Sequence, residues 1–184
     1  MTNTYKSTDK TQLAEHFNVL EFRCKCGGTH DTILNPEFPE KLEKLYKALN
    51  CSKIIINSGY RCTFHDKPVG GSGHHIYGNA SDIVCYDQKN NRISSKVVSC
   101  VAQDIGFGGI ANIDSTYTAT HVDVRPSNFW KGDEVKTSAC SVTDDFYKYY
   151  GLKKSDVYPT TTQKTAEVSM TIDGKTYSGM LTEK

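Results

Sequence analysis

Two stretches constrain the chain more than any others: residues 73–82, GHHIYGNASD, and the triplet His121, Val122 and Asp123. His75 and Asp82 stand seven residues apart with Gly78 and Ala80 between them, a spacing suited to a loop leading into a strand over Ile83, Val84 and Cys85. His121 lies in a second extended run, residues 118–124, where alternation points His121 and Asp123 to the same face. An imidazole, a carboxylate and a second imidazole with an open fourth position form the ligand set of a catalytic zinc site. The fold therefore has to bring a turn-and-strand unit beside a second strand. A lone histidine at a glycine-rich turn is most often a satisfied polar group, so the reading rests on several features coinciding.

Those features continue in both directions. Upstream, Ser58-Gly59-Tyr60-Arg61 is followed by His65 and then by Val69-Gly70-Gly71; downstream, Gly108-Gly109-Ile110 precedes the run HVDVR at residues 121–125. In this order the motifs resemble the zinc D-alanyl-D-alanine carboxypeptidase-like peptidases (subfamily A of the M15 peptidases), which share a fold with the hedgehog signalling domain. The resemblance covers residues 17–130 and includes EFRCKCGG at residues 21–28.

The resemblance implies a zinc ion held by His75, Asp82 and His121, and an Arg61 that faces a carboxylate of the substrate peptide. Only the spacing to Asp82 selects His75 over the adjacent His74. Two positions depart from the family pattern, Gly73 where serine is common and Asp66 where asparagine is common. Zinc at such a site lowers the pKa of water toward ~7 and polarises the scissile carbonyl. For Asp123 two roles stand open: general base, through its shared strand face with His121, or orientation of a ligand imidazole. Catalytic roles are expected for Asp123, Arg61 and His65, with Arg61, Ser58 and Tyr60 binding substrate; a structural ion pair on a turn is the other reading of Arg61. Tyr77 and Trp130 are candidates to cover an apolar side of the cleft, with a buried aromatic the default for Trp130. The implied activity is hydrolysis of peptidoglycan stem peptides, as a D,D-carboxypeptidase or a lysin-type endopeptidase. The alternatives are a non-catalytic zinc-containing binding module of the same fold and a structural wall or virion protein.

Composition bounds the rest. A length of 184 residues accommodates one good core and a small appendage, and 37% hydrophobic with 23% charged residues describes an ordinary globular chain. A formal charge of +1 offers no basic footprint for nucleic acid. No run approaches the ~20 apolar residues of a membrane helix, and the polar start shows no export signal. Action at the cell wall or in the periplasm then requires another route, such as the holin route of phage lysins, or a leader that the chain lacks. Seven cysteines without a signal peptide read as free thiols or ligands rather than a disulfide framework. CKCGGTH at residues 24–30 has two readings: a second, structural zinc site shared with Cys62 or another thiol, or a tight turn with small buried side chains.

The expected fold is α+β, hedgehog/DD-peptidase-like, with helices flanking a mainly antiparallel sheet and a small C-terminal β-hairpin. Residues 1–16 read as a polar lead-in with one helical turn near residues 11–16, and residues 17–130 as the zinc peptidase domain, opened by a short strand at 17–22. Amphipathic helices are expected over 39–49, with Leu42, Leu45 and Leu49 on one face, and after a Ser94 or Ser95 cap up to Gly106. Lys53, Ile54, Ile55 and Ile56 read as a buried strand, and residues 109–124 as a hairpin turning at Asp114 and Ser115. Residues 131–164 read as a linker with a small helix around Phe146, and residues 165–184 as a hairpin around Asp173-Gly174. The oligomeric state is not legible.

Overall fold

The computed structural model describes residues 2–69, 73–113, 116–133, 140–158 and 165–182. Gly70, Gly71 and the expected turn at Asp114 and Ser115 lie outside them. The architecture is α+β, and its centre is a five-stranded sheet in the order β5-β6-β8-β7-β9, made of β5 (Lys53–Ser58), β6 (Ala80–Tyr86), β7 (Gly109–Asn112), β8 (Thr120–Asp123) and β9 (Phe129–Lys131). Every pairing is antiparallel except β7 with β9. Ahead of it in the chain come β1 (Asn3–Tyr5), paired with β4 (Thr32–Leu34), and β2 (Gln12–Ala14), paired with β3 (Phe17–Asn18).

Side-chain alternation divides the sheet into two unlike faces. Ile54, Ile56, Ile83, Cys85, Ile110 and Val122 point into one core with Phe38, Leu42 and Leu45 of α1 (Glu37–Ala48) and Val98, Val101 and Ala102 of α3 (Ser95–Ile105). Burying each large apolar side chain contributes about 1.5–3 kcal/mol, so this layer dominates the stability. Ser94 caps α3 through the amide of Lys96, and Gly106, at φ 88°, ends it. The opposite face carries Asp82, His121 and Asp123.

Three local expectations change. Residues 11–16 are not helical: Gln12–Ala14 is a strand and residues 15 and 16 form the turn by which β2 pairs back on β3. Residues 17–22 are a strand only at Phe17 and Asn18, and Val19–Phe22 then forms a 3-10 turn. The Asn18 side chain accepts from Leu20 N at 3.0 Å while Glu21 accepts from Asn18 N at 2.7 Å, a capping box that starts the turn. The isoleucine run is half-buried, not buried: β5 is an edge strand, with Ile54 and Ile56 inward and Ile55 40% exposed.

The stretch after β9 is packed where it is described. Val142, Phe146 and Val157 join the main core from residues flanking and forming α4 (Phe146–Tyr150) and α5 (Lys154–Val157). Trp130 packs against Phe146 with the rings tilted by 40° and their centroids 5.6 Å apart, a packing role rather than one at a cleft. The last element is the hairpin of β10 (Thr165–Ile172) and β11 (Lys175–Thr182), turning at Asp173 (φ 50°) and Gly174 (φ 74°).

Candidate metal centre

The sheet register builds most of the site. Asp82 on β6 is directly opposite His121 on β8, and Ser58 at the end of β5 is opposite Asp82 on the other side. Cross-strand neighbours have Cβ atoms about 4.5–5.5 Å apart, so two donors meet without any long side chain reaching. His75 arrives from the turn before β6. Gly78 makes that turn possible: its φ is +66°, and a Cβ there would lie 2.1 Å from the Ile33 carbonyl oxygen.

Three donor atoms converge. His75 Nε2 lies 3.3 Å from His121 Nδ1 and 3.4 Å from Asp82 Oδ1, and His121 Nδ1 lies 2.9 Å from Asp82 Oδ1. Two nitrogens bound tetrahedrally to zinc at about 2.0–2.1 Å would be separated by about 3.3 Å. The donor chemistry and spacing therefore fit a single divalent ion with a fourth position open. Each imidazole is also held from behind. His75 Nδ1 is 2.7 Å from the Gly59 carbonyl oxygen, which accepts a hydrogen bond from the Nδ1–H and leaves the Nε2 lone pair for a metal.

Behind His121 stands Asp123, wholly buried, with Oδ2 3.1 Å from His121 Nε2. Arg125 clasps the same carboxylate: Nε is 2.8 Å from Oδ1, the backbone N–H is 3.0 Å from it, and Nη2 donates to Oδ2. Gly109 leaves the room, since a Cβ there would fall 2.0 Å from Asp123 Oδ2. Burial opposes ionisation of Asp123, yet the His121 and Arg125 hydrogen bonds outweigh it and hold the carboxyl well below the usual range. Asp82 follows the same pattern, its burial outweighed by bonds from His121 and His75. For His121 burial opposes the charge, but Asp123 and Asp82 overcome it and raise the pKa to about 9.

The other expected residues are placed differently. Arg61 Nη2 lies 2.5 Å from Asp82 Oδ2 and Nε donates to Ser58 Oγ at 2.7 Å, while Nη1 is 3.5 Å from the buried Asp66, an ion pair at long range. Arg61 and Ser58 thus adjoin the three donors, with Arg61 oriented first of all toward Asp82. Tyr60 points away, buried among Cys24 and Cys62 with Ile33 packed against them. His65 also stands apart, with Nδ1 3.4 Å from Cys24 Sγ. Tyr77 is 63% exposed. Arg125 and the Gly59 carbonyl were not singled out from sequence. The signal for Arg125 is its i+2 spacing from Asp123 in HVDVR; nothing local marks a carbonyl sixteen residues from the histidine it serves.

A family model described as Peptidase M15 matches residues 15–123. No match was found among curated proteins or among solved structures. Among the described residues, no helix is long and apolar enough to cross a membrane.

Proposed function

The chain belongs to the Peptidase M15 family, and from that premise we propose that it is a zinc-dependent peptidase of the hedgehog/DD-peptidase fold that hydrolyses peptidoglycan stem peptides. The observation that carries this reading is the convergence of His75 Nε2, Asp82 Oδ1 and His121 Nδ1 within 2.9–3.4 Å of one another. A bound zinc ion would supply Lewis acidity toward a peptide carbonyl and make water a nucleophile at neutral pH.

The protein's own groups position and bias that chemistry. His75 is fixed by the Gly59 carbonyl and His121 by Asp123, so both present a lone pair to the same point. With Arg125 and His121 filling its oxygens, Asp123 orients the imidazole and does not serve as the general base. Arg61 holds Asp82 through Oδ2, which leaves Oδ1 turned toward the two imidazoles. A guanidinium carries five N–H donors, so Arg61 retains donors for a substrate carboxylate beside the scissile bond, which fixes the register of cleavage. The fold is consistent with this use of the site: Asp82 and His121 lie on the sheet face away from α1 and α3, and His75 comes to them from the turn before β6.

The test is digestion of purified peptidoglycan by the wild type and by His121→Ala, with products identified by mass spectrometry. Release of D-alanine identifies a carboxypeptidase and release of larger muropeptides an endopeptidase, each abolished in the variant. Stoichiometric zinc with no product from any wall type would overturn the reading in favour of a binding module.

A further inference from the structure

A second group of metal-ligating side chains lies outside the site just described. Cys24, Cys26 and Cys62 bring their sulfurs within 4.8 Å of one another. Cys62 Sγ is 3.8 Å from Cys26 Sγ, and His65 Nδ1 is 3.4 Å from Cys24 Sγ. Four ligands at the usual zinc distances, about 2.3 Å for sulfur and 2.0–2.1 Å for nitrogen, give tetrahedral edges of about 3.8 Å between sulfurs and about 3.5 Å between sulfur and nitrogen. Both measured separations fall on those edges. A disulfide needs sulfurs about 2.05 Å apart, well inside the spacing found here.

Chain geometry explains how the three sulfurs meet and why His65 stands against one of them, Cys24. Cys24 and Cys26 sit on the turn after the Val19–Phe22 segment, and Gly27 at φ 84° reverses the chain behind them. Cys62 and His65 flank the start of α2 (Thr63–Asp66), three apart, with His65 N donating to Cys62 O at 2.9 Å. Residues three apart on a helical turn share a face. Backbone amides also point at two of the sulfurs: Gly28 N–H at Cys26 Sγ and Cys62 N–H at Cys24 Sγ, each at 3.4 Å. Each such donor favours the thiolate, the form that binds metal, although at Cys24 burial outweighs it and raises the thiol pKa. Cys24 and Cys62 are buried and Cys26 is exposed, so an ion could enter from the Cys26 side.

We propose that Cys24, Cys26, Cys62 and His65 form a closed structural zinc site, distinct from the His75, Asp82 and His121 centre. The His65 ring, already against Cys24, swings toward the other two sulfurs as the ion closes the tetrahedron. The site would clamp the Cys24–Cys26 turn to the residue that follows Arg61, and so steady the arginine that holds Asp82. It also gives His65 a role in place of the catalytic one.

The experiment measures metal content of the full-length chain, purified without chelators, together with the absorption of the cobalt(II)-substituted protein. Two zinc ions per chain are expected in the wild type and one fewer in Cys26→Ser, with a thiolate-to-cobalt charge-transfer band that is absent from Cys26→Ser and weakened in His65→Ala. His121→Ala keeps that band whatever becomes of the first centre, so failure of the peptidase reading and failure of this one are separable. Cys26 is exposed, so the serine variant is expected to fold, and circular dichroism is the check. Zinc content unchanged in Cys26→Ser, no thiolate band, or a disulfide among the three cysteines in the purified chain would each overturn the site.

Discussion

Replacing Asp123 with asparagine separates the two roles open to this residue. The carboxylate is wholly buried and accepts from His121 Nε2 at 3.1 Å, from Arg125 Nε at 2.8 Å and from the Arg125 amide at 3.0 Å. An amide of the same shape offers one oxygen, so either His121 or the Arg125 amide would face an NH2 group. Breaking a buried ion pair costs about 3–5 kcal/mol; at 2–4 °C per kcal/mol for a chain of this size, Tm falls by roughly 6–20 °C. Loosening the group that orients a metal-bound imidazole lowers metal affinity about 10–100-fold, or about 1.4–2.8 kcal/mol. The assay is a zinc competition titration below the lowered Tm, followed by turnover at saturating zinc. With the thiolate site serving as an internal constant, only the weaker class of zinc should shift. Turnover at saturating zinc should fall by less than the ~10²-fold minimum expected for loss of a general base. Unchanged zinc affinity with turnover down ~10²–10⁴-fold would refute the orienting role and restore Asp123 as the base.

Other perturbations follow from the same geometry. Gly109→Ala places a methyl 2.0 Å from Asp123 Oδ2; overpacking of this kind costs about 1–3 kcal/mol, and thermal unfolding with a zinc titration should show lower stability and weaker metal binding together. In metal-free protein the raised His121 pKa contributes stability that is fully present below about pH 6.5 and is lost as pH rises through about 9, a trend that denaturant titrations across this window would reveal. Because zinc must displace that proton, binding near pH 7 should release about one proton at this centre and tighten about tenfold per pH unit, measurable by calorimetry in buffers of different ionisation heat. Removing residues 165–184 should leave zinc content and Tm of the rest nearly unchanged, since residues 168–179 are exposed throughout; a large fall in Tm would show that the hairpin supports the core.

Where a pattern repeats within a few residues, the sequence was legible. Leu42 and Leu45 announced α1, Ser94 and Gly106 bounded α3, and Asp173-Gly174 marked the last hairpin, because periodicity and caps act locally. The M15 resemblance anticipated the family, and the i, i+2 spacing anticipated that His121 and Asp123 share a face. Edge position and long-range partners were not legible. Three successive isoleucines look alike in sequence, and only the sheet order makes Ile55 face outward. Tyr60 and Arg61 are adjacent, yet alternation turns Arg61 to Asp82 and buries Tyr60 against Cys24 and Cys62. His65 meets a cysteine 41 positions away, a proximity that no local rule encodes. Asn18 and Glu21 did carry a readable capping-box signal, which the apolar alternation of residues 17–22 obscured.

The most direct test of the peptidase reading is hydrolysis of purified peptidoglycan by chelator-stripped protein during a zinc titration, with His121→Ala alongside. No cleavage is expected from the stripped wild type, with recovery to a plateau as zinc is added, and none at any zinc level in the variant. Full activity in the stripped protein, or equal recovery by His121→Ala, would contradict a peptidase that works through this metal centre.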